Sequence, residues 1–240
     1  MSALFFADKI EKVHTLYGED ASHIAKSLRM TVGEIVTFCT PDGMCHDCEI
    51  TNISKSEVNF NVVSEYVCES EPSIEGTLYQ ALTKSDKMDM IIQKSVELGV
   101  SRIVPVITDR CVSRPDAKSM DKKIERWQKI AKNAAMQSRR GKVPMVMPLL
   151  TLENAAKDAS ALEKAIVYSE KYGENTNSLI TANTKSLGIF VGSEGGFSED
   201  DIRLLENNGI SCASLGKRIL RTETAPLAAL TIIMYITDNM

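Results

Sequence analysis

No apolar run in this chain is long enough to cross a bilayer: the longest, Ala225 to Ile236, falls well short of the roughly 20 residues that a spanning helix needs. No membrane partner is therefore expected. The opening residues, Met-Ser-Ala-Leu-Phe-Phe-Ala-Asp, carry no basic leader ahead of their brief apolar stretch, and the expectation is a cytoplasmic protein. Cysteine is scarce and scattered. Six residues at no regular spacing, without a secretory segment, read as reduced thiols rather than a disulfide framework. Cys45 and Cys48 form one Cys-x-x-Cys pair, but a structural zinc site needs four ligands and only Cys39 and His46 lie nearby in sequence, so no metal is expected. His14 and His23 stand alone and read as ordinary surface or core residues. Also missing are Gly-x-Gly-x-x-Gly and a glycine loop closed by Lys-Ser/Thr, the two common phosphate-binding patterns.

What is present is ordinary for a soluble globular chain, with 43% apolar and 25% charged residues over 240 positions. That is enough for one large or two modest cores. A net charge of −4 speaks against a nucleic-acid partner until its distribution is considered. Residues 1–75 carry five Lys/Arg against thirteen Asp/Glu, a balance of −8, whereas residues 102–142 carry twelve against four, a balance of +8. The second block contains Arg110, Arg114, Arg139 and Arg140 and is the candidate phosphate-backbone contact, a solvated helix face being the plainer reading.

Two loops near the C-terminus carry the densest signal. The apolar run Leu187–Val191 reads as a strand and meets Gly192-Ser193-Glu194-Gly195-Gly196-Phe197, after which Ser198 and Asp201 are spaced as a capping box for a helix that ends near Gly209. A second strand, Ile210 to Leu215, runs into Gly216-Lys217-Arg218-Ile219-Leu220-Arg221-Thr222-Glu223-Thr224-Ala225-Pro226 and a closing helix to about Thr237. Either threonine could cap that helix, and Pro226 is tolerated in a first turn. Glycines after a strand often cradle phosphate, yet Glu194, Glu199, Asp200 and Asp201 would repel one. A neutral or cationic ligand fits better, and two tight turns without a ligand remain the plain alternative.

Upstream, Ile35–Phe38, Cys48–Thr51 and Val58–Val63 read as short strands of a β-rich N-terminal domain, with one helix after Asp20. Glu69 to Gly76 reads as a linker. A strand over 77–82, a helix over 84–98, a strand over 102–107, a helix over 119–137 and a strand over 165–168 then alternate, which predicts a parallel sheet with helices on both faces. The domains are expected at residues 1–70 and 76–240.

Gly-Ser-Glu-Gly-Gly-Phe-Ser followed by Leu-Gly-Lys-Arg-Ile-Leu-Arg-Thr-Glu-Thr-Ala resembles the paired signature of the RsmE family of ribosomal RNA methyltransferases. The likeness extends to Leu28-Arg29-Met30 with Gly33-Glu34, to Ala81-Leu82-Thr83-Lys84, to Glu97-Leu98-Gly99-Val100 and to Gln137-Ser138-Arg139. It departs where Leu4 replaces an arginine before Phe5-Phe6 and where Ser193 replaces a proline. The resemblance implies an α/β fold of the SPOUT class whose C-terminal parallel sheet carries a trefoil knot, preceded by a small PUA-like barrel that grips RNA. It implies transfer of a methyl group from S-adenosylmethionine to N3 of a uridine in 16S rRNA of the small ribosomal subunit, by a homodimer. The implied cofactor wall is Tyr168, Glu170, Gly192, Glu194, Gly195, Gly196, Leu215, Gly216, Ile219, Leu220, Thr224 and Ala225. Arg221 and Glu223 are the candidate catalytic residues, and Arg29, Arg110, Arg114, Arg139 and Arg140 the candidate RNA contacts. A SPOUT enzyme acting on transfer RNA and a non-catalytic ribosome-assembly factor are the competing readings.

Overall fold

β-Branched and aromatic residues in alternation build the first sheet. The computed structural model describes residues 2–54 and 56–240, which divide into two units: the chain up to Glu71 together with Ala135–Val143, and Pro72–Ala134 with Pro144–Met240. In the first unit, β1 (Ala3–Phe6), β2 (Val13–Tyr17), β3 (Ile35–Cys39), β4 (Met44–Ile53) and β5 (Glu57–Val67) form one curled sheet in the order β1-β3-β4-β5-β2. A short helix α1 (Gly18–Ser22) continues into a π turn over His23–Ser27. The inward side chains meet as a ring cluster, with Phe38 and Phe60 edge to face at 5.0 Å, a geometry that places ring edge on ring face. Pro41-Asp42-Gly43 closes the β3–β4 hairpin, where Gly43 takes φ +85° and the Thr40 amide donates to the Met44 carbonyl.

The cysteine expectation needs correction in this unit. Cys39 and Cys45, opposite each other in the hairpin, are disulfide-bonded, while Cys48, Cys68, Cys111 and Cys212 are free. Cys45 and Cys48 lie three residues apart on β4, whose register with β3 is unbroken from Cys45 to Glu49, so they face opposite sides of the sheet: Cys48 packs among Phe5, Phe38 and Phe60, and Cys45 packs with Leu4 and Cys39.

The second unit alternates strand and helix. β6 (Glu75–Ala81), α2 (Ser85–Glu97), β7 (Arg102–Ile107) and α3 (Ala117–Gln137, of which Ala135–Gln137 count with the first unit) come first, followed by β8 (Met145–Val146), β9 (Leu150–Thr151), α4 (Leu152–Ala159) and β10 (Lys164–Tyr168). Then come β11 (Glu174–Asn175), α5 (Thr176–Leu179), β12 (Ser186–Val191), α6 (Glu199–Asn207), β13 (Ser211–Ser214) and α7 (Ala225–Ile236). The strands order β11-β13-β10-β12-β6-β7-β8, β9 also pairs with β7, and all of these pairings are parallel. Every predicted strand and helix of this unit is present. Residues 143–164, left unassigned by the sequence pattern, hold β8, β9 and the amphipathic α4.

Central strands buried on both faces read as apolar runs, which is why β6, β7 and β12 were legible. One face packs Tyr79, Val106, Phe190 and Val167 against Ala155 and Ala156 of α4 and Leu205 of α6, with the Tyr79 and Phe190 rings stacked at 4.3 Å. Burying each such side chain contributes about 1.5–3 kcal/mol. Helix α2 stops at Gly99, where φ is +95° and a Cβ would stand 2.7 Å from Pro72, so glycine is required for both reasons. Among the described residues no helix is long and apolar enough to cross a membrane.

Candidate active site

Strands β13, β10 and β12 are neighbours in a parallel sheet, so their C-terminal ends open on one edge, the place where open α/β sheets bind ligands. Both glycine loops leave from that edge. In the first, Gly196 takes φ +67° and closes a tight turn by donating to the Ser193 carbonyl at 2.9 Å. A Cβ on Gly192 would stand 2.9 Å from the Gly196 backbone, so the turn folds only with glycine there. The Ser198–Asp201 capping box is complete, each side chain accepting from the other residue's amide at 3.0 and 2.9 Å, and it starts α6.

The second loop is locked onto the first. Thr222 Oγ1 donates to the Gly192 carbonyl at 2.7 Å, and the fully buried Gln80 of β6 donates to the same carbonyl at 3.3 Å and to Thr222 Oγ1 at 3.4 Å. Thr222 is therefore a strut and not a cap. Thr224 occupies the N-cap position of α7 without a side-chain cap bond, and Pro226 sits in the first turn. Together the loops enclose a cleft of about 380 Å³, within the range of small-molecule sites. Its wall includes Tyr168, Glu170, Gly192, Glu194, Gly196, Leu215, Gly216, Ile219, Leu220, Arg221 and Ala225. Of the predicted set, Gly195, Glu223 and Thr224 stand outside that wall. Gly195 backs onto Arg110, whose guanidinium donates to the Gly195 carbonyl at 2.9 Å.

Electrostatics follow from one residue that sequence reasoning passed over. Lys87, in the first turn of α2, places its ammonium 3.0 Å from Glu223 and 3.6 Å from Glu194, tying a carboxylate of each loop to one cation. Glu194 also accepts from the Lys84 amide at 3.3 Å. Lys87 beside it, with its own backbone amide, holds the Glu223 carboxyl below the usual range. At the mouth, Lys171 pairs with Glu199 at 3.0 Å and lowers that carboxyl as well. Burial pushes the Tyr168 phenol up to about 12, and its hydroxyl lies 3.0 Å from Thr176 Oγ1. Lys171, Tyr172 and Ile202 are further wall residues that no local pattern singled out. Sequence order offers no signal for Lys87, because its partners lie more than a hundred residues away.

The candidate RNA contacts separate. In the second unit Arg114 is exposed and braces its own loop by donating to the Thr108 and Asp109 carbonyls. In the first unit Arg29 is exposed with φ 54°, and Arg139, φ 59°, donates to Ser2. Arg140 is only 3% exposed and pairs with Glu71 at 2.7 Å, which also accepts from the Gly141 and Lys142 amides. A buried, paired guanidinium is a structural group.

The pocket fits an adenosyl sulfonium in three respects. Glycine backbones let a flat ring approach, Leu215, Ile219, Leu220 and Val191 supply apolar wall, and Glu170 and Glu194 offer carboxylates to hydroxyls or to a positive centre. Comparison with known proteins leads to the same place. Residues 69–234 match the RNA methyltransferase domain model and residues 16–63 the RNA methyltransferase PUA domain model. The ribosomal RNA small subunit methyltransferase E of Bacillus subtilis is 38% identical over 96% of this chain and 93% of its own length. That of Buchnera aphidicola is 29% identical over 93% and 88%. A crystal structure of the Neisseria gonorrhoeae methyltransferase E bound to S-adenosyl methionine superposes with a TM-score of 0.88 at 30% identity, covering 98% of both chains.

Proposed function

Because the chain belongs to the RsmE family of ribosomal RNA methyltransferases, we propose that it methylates N3 of one uridine in 16S rRNA of the small ribosomal subunit, with S-adenosylmethionine as donor. The observation that carries this reading is the junction of the two glycine loops through Thr222 and Gly192 around a cleft of about 380 Å³. The bound cofactor supplies an electrophilic methyl group on its sulfonium. The chain's own residues hold, orient and screen.

Gly192, Gly196 and Gly216 would admit the adenosine against backbone, and Glu170 and Glu194, on the same cleft wall, would accept from its polar groups. Arg221 acts on the substrate side: its carbonyl is fixed by the Thr224 and Ala225 amides at 2.8 and 2.9 Å, while its guanidinium is exposed at the cleft. There it stabilises negative charge as the weakly acidic uracil N3–H is lost. Glu223, held as a carboxylate by Lys87, serves by fixing that lysine and not as the proton acceptor. N3 is hidden in a paired base, so the uridine enters unpaired or flipped, at a cost of a few kcal/mol offset by backbone contacts. Of the candidate arginines, Arg29, Arg110, Arg114 and Arg139 are exposed or half-buried and available for those contacts.

Residues 1–70 serve as the RNA-gripping domain and 76–240 as the catalytic domain of a cytoplasmic enzyme. The passage of residues 215–224 across Gly192 and Gln80 supports a trefoil knot in the second unit. The working form is a homodimer, and Ile219 and Tyr235, 78% and 76% exposed, are apolar side chains that a second copy would cover. The test is to incubate purified protein with unmodified small subunits and methyl-labelled cofactor and to map the modified base. Label at uracil N3 at one position supports the proposal, and label in transfer RNA or none at all refutes it.

A further inference from the structure

The N-terminal unit holds a cluster that methyl transfer does not use. Cys39 ends β3, Cys45 lies opposite it near the start of β4, and their Cα atoms are 4.3 Å apart. Such closeness belongs to a non-hydrogen-bonded antiparallel pair. A third cysteine reaches the same place just beyond β5, because the Cys68 amide donates to the Gly43 carbonyl of the hairpin turn at 2.9 Å. The three sulfurs lie within 4.8 Å of one another, two of them buried and that of Cys68 half-buried. Gly141 makes the room: a Cβ there would stand 2.6 Å from Cys68 Sγ. A Cys39–Cys45 disulfide uses two of these sulfurs and leaves the third beside it without a role.

We propose that Cys39, Cys45 and Cys68, once reduced, bind one thiophilic d10 cation of the Zn²⁺ class. Thiolate sulfur is a preferred ligand for such ions, and three sulfurs around one centre leave the remaining position to water on the half-buried Cys68 side. Ser70 is placed for the outer contact, its Oγ lying 3.1 Å from Cys68 Sγ; its one proton goes to the Arg139 carbonyl at 2.6 Å while Cys68 is a thiol and must turn to Sγ once Cys68 is a metal-bound thiolate. Cys68 is accordingly the donor to Ser70 when it is a thiol. A dithiol reductant passes two electrons and two protons to the Cys39–Cys45 bond and becomes a cyclic disulfide, and Zn²⁺ then forms three Zn–S bonds as three thiol protons leave to solvent. Cys48 stays outside the set, since it belongs to the Phe5–Phe38–Phe60 core, where burial pushes its thiol up to about 12.

The full chain, reduced with dithiothreitol and desalted without oxygen, is titrated with Zn²⁺ against a chromophoric chelator. Wild type takes up one equivalent, Cys68→Ser weakens that affinity by at least about 100-fold, and Cys212→Ser leaves it unchanged. Cd²⁺ as a second probe gives a thiolate-to-metal charge-transfer band that falls in Cys68→Ser. Circular dichroism checks that this variant is folded. Independently of any variant, Zn²⁺ protects Cys39, Cys45 and Cys68 of wild type, and not Cys212, from alkylation mapped by mass spectrometry. Zinc uptake unchanged in folded Cys68→Ser, no protection of the three cysteines, or a Cys39–Cys45 bond that survives excess dithiothreitol in the folded protein would overturn the proposal.

Discussion

The two sheets bury their strands differently. In β12 five of the six residues, Leu187 to Val191, are buried, whereas β5 alternates over its first residues and is exposed from Ser64 to the end. A strand covered on both faces is an apolar run fixed by packing, and a strand with one open face keeps a surface free. The difference maps onto task. Methyl transfer needs donor and acceptor aligned to a fraction of an ångström, and loops on the ends of fully covered strands provide that rigidity. An open sheet suits contact with a large partner.

The contrast breaks or sharpens in measurable ways. Phe190→Ala removes a ring stacked on Tyr79 and should destabilise the second unit by about 3–5 kcal/mol in urea unfolding, while Val63→Ala, at a position 53% exposed, should change the first by less than about 0.5 kcal/mol. Equal effects would erase the distinction. Arg221→Ala should lower the methylation rate by about 10²–10³-fold with cofactor affinity within about tenfold, read from single-turnover kinetics and titration. Parallel loss of both would assign Arg221 to cofactor binding instead.

Two arginines sharpen the comparison further. Arg140→Ala leaves Glu71 facing a vacated buried site and should cost about 3 kcal/mol of stability. Arg29→Gln, on an exposed side chain, should change stability by less than about 0.5 kcal/mol and reduce the salt slope of RNA binding by about one. Lys87→Met should slow methylation by about tenfold, a loss of the kind seen when an outer positioning contact goes, and should remove the acid limb. A depressed carboxyl contributes stability above its unfolded value, about 4.3, and loses it as pH falls through the folded value. With Lys87 gone Glu223 has no ammonium left to fix, so the acid-induced loss of activity that its protonation causes in wild type should disappear in Lys87→Met. A limb that persists would detach Glu223 from Lys87.

Local pattern was enough for much of this. The apolar runs of β6, β7 and β12, the Ser198–Asp201 box and the stop at Gly99 are each written within a few residues of where they act. What escaped is written across distance. Lys87 meets Glu194 and Glu223 only after folding, and Arg140 is buried by Glu71 from 69 residues away. Strand alternation turns Cys48 to the opposite face from Cys45, while Cys39, Cys45 and Cys68 converge from three strands' ends, a set that no local spacing marks. Helix α4 escaped for another reason: its alanines give a weak apolar stripe, with only Leu152 as a large buried side chain.

Calorimetric titration of S-adenosylmethionine into wild type and Gly192→Ala tests most directly whether the two glycine turns form one cofactor pocket. An added Cβ at 192 must displace the Gly196 backbone. The expected result is one cofactor per chain in wild type and at least about tenfold weaker binding in a folded Gly192→Ala, in line with loss of a pre-formed wall. Undiminished binding in that variant, or none in wild type, would contradict it.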